Sequence, residues 1–325
     1  MKNNKPLYRE FCQTEPSIPI FSKDWWLDAV CGEDNWDVAL VEKGGNIVAT
    51  MPYYIRTNKI GLKLMVQPQL TQTLGPWISY PQNQKYEKKL SFDKQIINAL
   101  LEQLPQYDYF AQNFHYSITN WLPFYWKGFQ QTTRYTYVIN DLADLDLIWK
   151  GTQENIRTDI RKARNRFNIQ VKTNLDIEQF LAINELTFTR QNMSLPYSSQ
   201  FVKRLDEACQ VHKARRMYFA EDEKGQIHAA IYIVWDDNSA YYLMGGGHPE
   251  LRNSGATSLL MWEAVQFAAT VTRKFDFEGS MIESVERFFR GFGAKQVPYF
   301  AVSNMSRRMA PLYYGRKLMR SLLGK

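Results

Sequence analysis

The segments AYYLMGG (240–246), SGATSLLMWEAVQFAATV (254–271), KFDFEGS (274–280), ESVERFFRGFG (283–293) and QVPYFAV (296–302) decide the fold. The first and last read as strands, rich in aromatic and β-branched residues. The second is too long for a strand and reads as a helix, apolar on nearly every side. In KFDFEGS the residues alternate, so Phe275 and Phe277 are expected on one face and Asp276, Glu278 and Ser280 on the other. ESVERFFRGFG reads as a helix. Upstream, RMYFAEDEKGQIHAAIYIVW (216–235) predicts two strands joined at Glu223-Lys224-Gly225-Gln226. Strands and helices that alternate in this way predict an α/β fold with mixed, α+β-like sheets.

The first half carries the same plan. WDVALVEKGGNIVATMPYYI (36–55) predicts two strands joined at Lys43-Gly44-Gly45-Asn46. A helix over 86–104, a strand over 107–114, a helix near 117–127 and a strand over 131–140 follow, after a short helix over Asp24–Val30. FYWKGF (124–129) matches FFRGFG (288–293), pairing Gly128 with Gly291, and the hairpin glycines Gly45 and Gly225 correspond. The chain therefore reads as a tandem repeat, divided into residues 1–145 and 146–325, the second part ending in a basic helix.

The chain has 325 residues, enough for two domains, and its 45% hydrophobic content excludes a disordered or low-complexity protein. No apolar run approaches the roughly 20 residues that span a bilayer, and the first residues lack a signal-peptide core. A cytoplasmic protein is expected. Three scattered cysteines and four histidines without ligand spacing predict neither a disulfide framework nor a metal site. Charge is uneven: residues 146–325 hold 26 Lys and Arg against 19 Asp and Glu, the first 145 residues 14 of each. After Glu286 there are nine basic residues and no acidic one. Such polarity suits an anionic partner.

Four groups of residues are candidates for chemistry or binding. The turn Arg252-Asn253-Ser254-Gly255-Ala256-Thr257, preceded by Gly245, Gly246 and Gly247, lies between a strand and a helix N-terminus. Backbone N–H groups there approach a phosphate closely, and Arg252 adds a charged donor. The structural alternative is a capped tight turn. Asp276 and Glu278 are two carboxylates on one short strand, suited to orienting an amine or accepting its proton, or else to pairing with surplus arginines. Arg157, Arg161 and Arg164 share one stripe of the amphipathic stretch ENIRTDIRKARNRF (154–167), and with Arg307 and Arg308 they are candidates for a polyanion contact, unless solvated or paired with Glu154 and Asp159. The aromatic cluster Tyr107, Tyr109, Tyr116, Trp121, Tyr125 and Trp126 lines a ligand groove or fills core.

FDFEGS (275–280), ERFFRGFGAK (286–295), WKGTQENIRTDIRKARNRF (149–167) and GATSLLMWEAVQFA (255–268) together resemble the GNAT acyltransferase superfamily. More narrowly they resemble the tandem-GNAT Fem-like transferases and the BioF2-like acetyltransferase domain. The resemblance implies two tandem GNAT-like domains and direct attack of an amine on an activated acyl group, without a covalent enzyme intermediate. Fem proteins take the acyl group from aminoacyl-tRNA and place it on a peptidoglycan-precursor peptide; GNAT relatives use acyl-CoA. A cation following the Phe of the Fem FK segment assists at the acyl carbonyl, and Arg290, after Phe289, stands there. Thr257 stands where the GNAT pyrophosphate pattern ends in Gly or Ala, and the coiled-coil arm of some Fem proteins is absent.

The expected function is N-acyl or aminoacyl transfer from acyl-CoA or aminoacyl-tRNA to an amine of a cell-envelope precursor such as a peptidoglycan peptide. Arg290, Asp276 and Glu278 are the expected catalytic residues. Gly246, Gly247, Arg252, Asn253, Gly255, Ala256 and Thr257 are expected to bind the donor. Partners are the small-molecule or peptidoglycan-precursor substrate, tRNA as a donor carrier, and the membrane surface as a peripheral contact. The alternatives are a non-catalytic polyanion-binding scaffold and an acetyl-CoA-dependent N-acetyltransferase acting on an amino sugar.

Overall fold

Two sets of residues gather into separate cores, and the chain passes between them twice. One unit runs up to Arg134 and resumes at Pro298; the other spans Tyr135–Val297. The computed structural model describes residues 4–190, 193–279 and 281–315.

The first unit opens with α1 (Lys5–Thr14) and α2 (Asp24–Cys31), followed by the hairpin β1 (Trp36–Lys43) and β2 (Asn46–Thr57). Gly44 and Gly45 both take positive φ at the turn, as a tight hairpin requires. Short strands β3 (Lys63–Val66) and β4 (Trp77–Ile78), helix α3 (Tyr86–Leu101), strand β5 (Tyr109–Asn113), helix α4 (Leu122–Tyr125) and strand β6 (Gln130–Ile139) follow. The helix expected near 117–127 is thus confined to one turn, with Pro123 in its first positions. β1 and β2 are antiparallel, β2 and β3 antiparallel, and β3 and β5 parallel, with Leu64 opposite Tyr109. Phe110, Phe114, Phe124 and Phe129 pack in the core with Ile96, Ile97 and Leu100 of α3.

The second unit contains α5 (Leu145–Gly151), α6 (Glu154–Asn165), β7 (Gln170–Lys172), α7 (Ile177–Arg190), α8 (Ser199–Val211), β8 (Arg215–Glu221), β9 (Ile227–Trp235), β10 (Ala240–Gly247), α9 (Ala256–Val271), β11 (Phe275–Asp276), α10 (Glu283–Arg290) and the start of β12 (Lys295–Met305). β7, β8, β9 and β10 pair antiparallel, whereas β10 and β11 are parallel. α9 lies against β8 and β9, burying Leu259, Leu260, Met261, Ala264, Val265 and Ala268, which is why its sequence is apolar nearly all round.

The repeat read from the sequence is a repeat of architecture. In each unit a hairpin leads to a third strand, which pairs in parallel with the strand after the long helix. The closing strands, however, are exchanged between the repeats. β11 pairs with β6, Phe275 opposite Ile139, and β5 pairs with β12, Asn113 opposite Ala301. The compact units therefore change over at 134/135 and 297/298 rather than at the expected 145/146. The helix-ending glycines also differ from the sequence match. Gly128 has φ +83° and Gly291 has φ −60°, so the counterpart of Gly128 is Gly293 at φ +77°.

Candidate functional site

The second unit brings together one group of buried polar side chains at the ends of β10 and β11. The two strands pair over only two residues, Ala240 with Phe275 and Tyr241 with Asp276, and β10 then continues to Gly247 against β9. β11 ends at Asp276 rather than continuing to residue 280, because Glu278 and Gly279 both take φ +57°. Positive φ is uncommon for a residue with a side chain and is characteristic of strained functional turns. Gly279 has no alternative, since a Cβ there would lie 2.1 Å from the carbonyl oxygen of Tyr135. Ser280, expected on the same strand face, lies outside the described residues.

This turn folds Glu278 back on Asp276. The backbone N–H of Glu278 donates to Asp276 Oδ1 at 2.8 Å, and the hydroxyl of buried Thr136 on β6 donates to the same oxygen. Burial pushes the Asp276 carboxyl up to about 6, with both hydrogen bonds opposing the shift. The Glu278 carboxyl is also raised well above its ordinary range, first by burial and then by the neighbouring Asp276 charge. The pair resembles the arrangement in which one of two close carboxylates keeps its proton near neutrality.

Around the pair lie residues the sequence did not single out. Burial raises the Tyr242 hydroxyl, with smaller contributions from Tyr197 and Glu278. Its ring packs against Phe289 at 5.8 Å, and its hydroxyl lies where a Cβ of Gly245 would be. Tyr197, pushed up to about 12 by burial, donates to Asn184 Oδ1 at 2.9 Å, and Asn184 Nδ2 donates to the carbonyl of Gly245 at 2.8 Å. Gly247 N–H donates to Thr187 Oγ1 at 3.0 Å. Gly246 is required for packing: a Cβ would meet Ile183 O at 2.5 Å.

Arg290 belongs to a different network. Its Nε lies 3.5 Å from Glu286 Oε1, four residues earlier on α10, and the side chain is 56% exposed. Tyr137 donates to Glu286 at 2.5 Å and accepts from Gln296 at 2.6 Å. Thr136 and Tyr137 are consecutive on β6 and so leave it on opposite faces. Asp276 is bonded through the first and Glu286, with Arg290, through the second.

The turn before α9 is a single 3₁₀ turn, Arg252–Ser254, with Gly255 as the helix N-cap at φ +82°. Arg252 and Asn253 are exposed, Thr257 is half-buried, and Ser254 Oγ accepts from Ala256 N–H at 3.3 Å. A Cβ at Gly255 would lie 2.2 Å from Asp159 O, so this glycine lets α9 meet α6. On α6, Arg157 and Arg161 pair with Glu154 at 2.5 and 2.9 Å, and Arg164 pairs with Glu263 at 2.6 Å. Arg307 and Arg308 are exposed beyond β12 in the first unit; Arg308 lines a cavity of about 660 Å³ with Lys63, Tyr107 and Asp108. The remaining basic residues of the tail, Arg316, Lys317, Arg320 and Lys325, lie outside the described residues.

Residues 150–289 match the family model of the acetyltransferase (GNAT) domain. The structure is similar to that of FemX, at 12% identity over 97% of this chain and 98% of that one, with a TM-score of 0.66. It is also similar to the C-terminal (DUF2156) domain of a candidate lysylphosphatidylglycerol synthetase from Agrobacterium fabrum (12% identity, 97% of each chain, TM-score 0.55). A third similar structure is L-PGS from Bacillus licheniformis (12% identity, 99% of this chain, 97% of that one, TM-score 0.52). No curated protein matches the chain. The chain has the GNAT/Fem-like fold, in tandem, and the match to the acetyltransferase (GNAT) family model is confined to residues 150–289. Among the described residues no helix is long and apolar enough to cross a membrane.

Proposed function

We propose that the second unit transfers an acyl or aminoacyl group to an amine, with the buried Asp276–Glu278 pair receiving the amine's proton. The observation that carries this reading is the pair itself, at the point where β10 and β11 part in a GNAT domain. An acceptor amine arrives as an ammonium ion and must lose a proton before its nitrogen attacks the acyl carbon. A carboxylate raised to about 6 by burial is matched to that task near neutral pH. As the N–C bond forms, the bond to the donor's leaving group breaks: a thiolate for acyl-CoA, or a ribose oxygen for aminoacyl-tRNA.

The donor turn of this proposal is Arg252 to Thr257, with Gly246 and Gly247 shaping the neighbouring strand end. Helix N-termini favour anions, and Arg252 is exposed beside one. Arg290, paired to Glu286 on the other side of β6, is assigned to that ion pair rather than to the acyl oxygen. The resemblance of FDFEGS (275–280) and ERFFRGFGAK (286–295) to the Fem-like transferases supports a cell-envelope precursor as acceptor, in a cytoplasmic reaction. The test is transfer by the purified chain from labelled acetyl-CoA and from charged tRNA to a peptidoglycan-precursor peptide. Product that disappears in Asp276→Asn supports the reading. Undiminished transfer by that variant overturns it.

A further inference from the structure

The first unit exposes an aromatic surface that its own packing does not explain. α4 buries Pro123 and Phe124, the latter ring against Phe114 at 4.8 Å and Phe129 at 5.5 Å. The same turn leaves Leu122 47%, Tyr125 55% and Trp126 58% exposed. Isolated apolar residues on a surface are ordinary, but three large ones within five positions form a patch. Leu90 on the adjoining α3 is exposed as well. The platform is firmly held: Asp93 of α3 accepts from Asn120 Nδ2 at 3.1 Å and from Tyr80 OH at 2.8 Å.

The charge beside this patch is mainly positive. Lys94 Nζ stands 5.2 Å from the Trp126 ring centroid, and the exposed Lys127 follows directly. Between Asp108 and Asp141 the sequence contains no acidic residue. On α3, Glu87 is the one exposed acid beside Lys85, Lys88, Lys89 and Lys94. Trp and Tyr with an apolar body and a polar tip, next to lysines, suit the headgroup level of a bilayer. Lysines near an anionic leaflet add attraction that a neutral one does not supply.

We infer that Leu122, Tyr125 and Trp126, with Lys94 and Lys127, form a docking surface for an anionic lipid bilayer. The aromatic rings enter the interface and the ammonium groups meet lipid phosphates. This surface is independent of the acyl-transfer reading, because vesicle binding is measured without donor or acceptor.

The experiment is co-sedimentation of the full chain with vesicles of phosphatidylcholine and phosphatidylglycerol at 3:1, and with phosphatidylcholine alone. The expected result is binding to the anionic vesicles and little to the neutral ones. Lys94→Gln and Lys127→Gln should each weaken it about fivefold. Tyr125→Ser with Trp126→Ser should abolish it while near-ultraviolet circular dichroism keeps the buried aromatic signature. Absence of binding to either vesicle overturns the inference, as does equal binding by the double serine variant. Concentration-dependent self-association that the same variant removes also overturns it, since the surface would then join protein to protein.

Discussion

Asn184 on α7, itself 1% exposed, holds the backbone carbonyl of Gly245 on β10 at 2.8 Å. Two residues further along the same strand edge, Thr187 takes the N–H of Gly247. The helix thus supplies to β10 the hydrogen bonds that β11 stops supplying after Asp276. Asn184 also accepts from Tyr197, so one amide ties the Tyr197 hydroxyl to the backbone of β10. Asn184→Leu keeps the volume but strands the Gly245 carbonyl and the Tyr197 hydroxyl. The expected loss is about 1–3 kcal/mol in urea unfolding. An unchanged midpoint would show that these bonds are replaced by water.

The Asp276 carboxyl predicts a stability profile of definite sign. Below its unfolded pKa it is protonated in both states and costs nothing. Between the ordinary Asp range and about 6 the folded protein keeps a proton that the unfolded chain has released, so stability falls as pH rises. The full effect, on the order of 3 kcal/mol, is present above that window. Asp276→Asn, which still accepts from Thr136 and Glu278, should therefore match the wild type near pH 3.5 and exceed it near pH 7. Acyl transfer by the wild type should rise with pH through the same region. Thermal unfolding of both proteins across pH 3.5–7 checks the first statement.

Gly255 and Arg252 separate packing from donor binding. Gly255→Val places a branched side chain at φ +82° and against Asp159 O, and should cost about 1–3 kcal/mol or more. Arg252→Ala removes an exposed side chain, with stability expected within about 0.5 kcal/mol of the wild type. If the turn holds an anionic donor, that variant raises the KM for donor and leaves kcat near its original value. An unaltered KM removes Arg252 from the donor site.

Arg290→Ala distinguishes two uses of one guanidinium. As the partner of Glu286 alone, Arg290 contributes about 0.3–0.5 kcal/mol, and the variant turns over normally. As an oxyanion donor, its loss would lower kcat by about 10²–10³. The separation of the Thr136 and Tyr137 networks across β6 favours the first result. Single-turnover rates at saturating donor measure the difference.

What the sequence discloses here depends on whether a residue's role is local. The hairpins around Gly44-Gly45 and Gly225, the buried helix α9 and the basic helix α6 follow from turn chemistry and apolar period, and the structure has them. The alternation of KFDFEGS continues past the true end of β11 because period alone does not register the left-handed backbone of Glu278. Gly279 was the available signal. Asn184, Thr187, Tyr197 and Thr136 could not be selected in advance, since each gains its role from a partner far along the chain. The order of repeated elements likewise showed the duplication but not which sheet receives each final strand.

That exchange bears on how the protein is born. As the nascent chain leaves the ribosome, β6 already exists when β11 emerges, so the sheet of the second unit finds its partner at once. β5 is made early, yet the part of β12 that pairs with it, from Ala301, is synthesised only after the second unit. The half begun first is the half finished last. Its unpaired strand edge is exposed throughout that interval, a period in which chaperone contact or aberrant pairing with another nascent copy competes with completion.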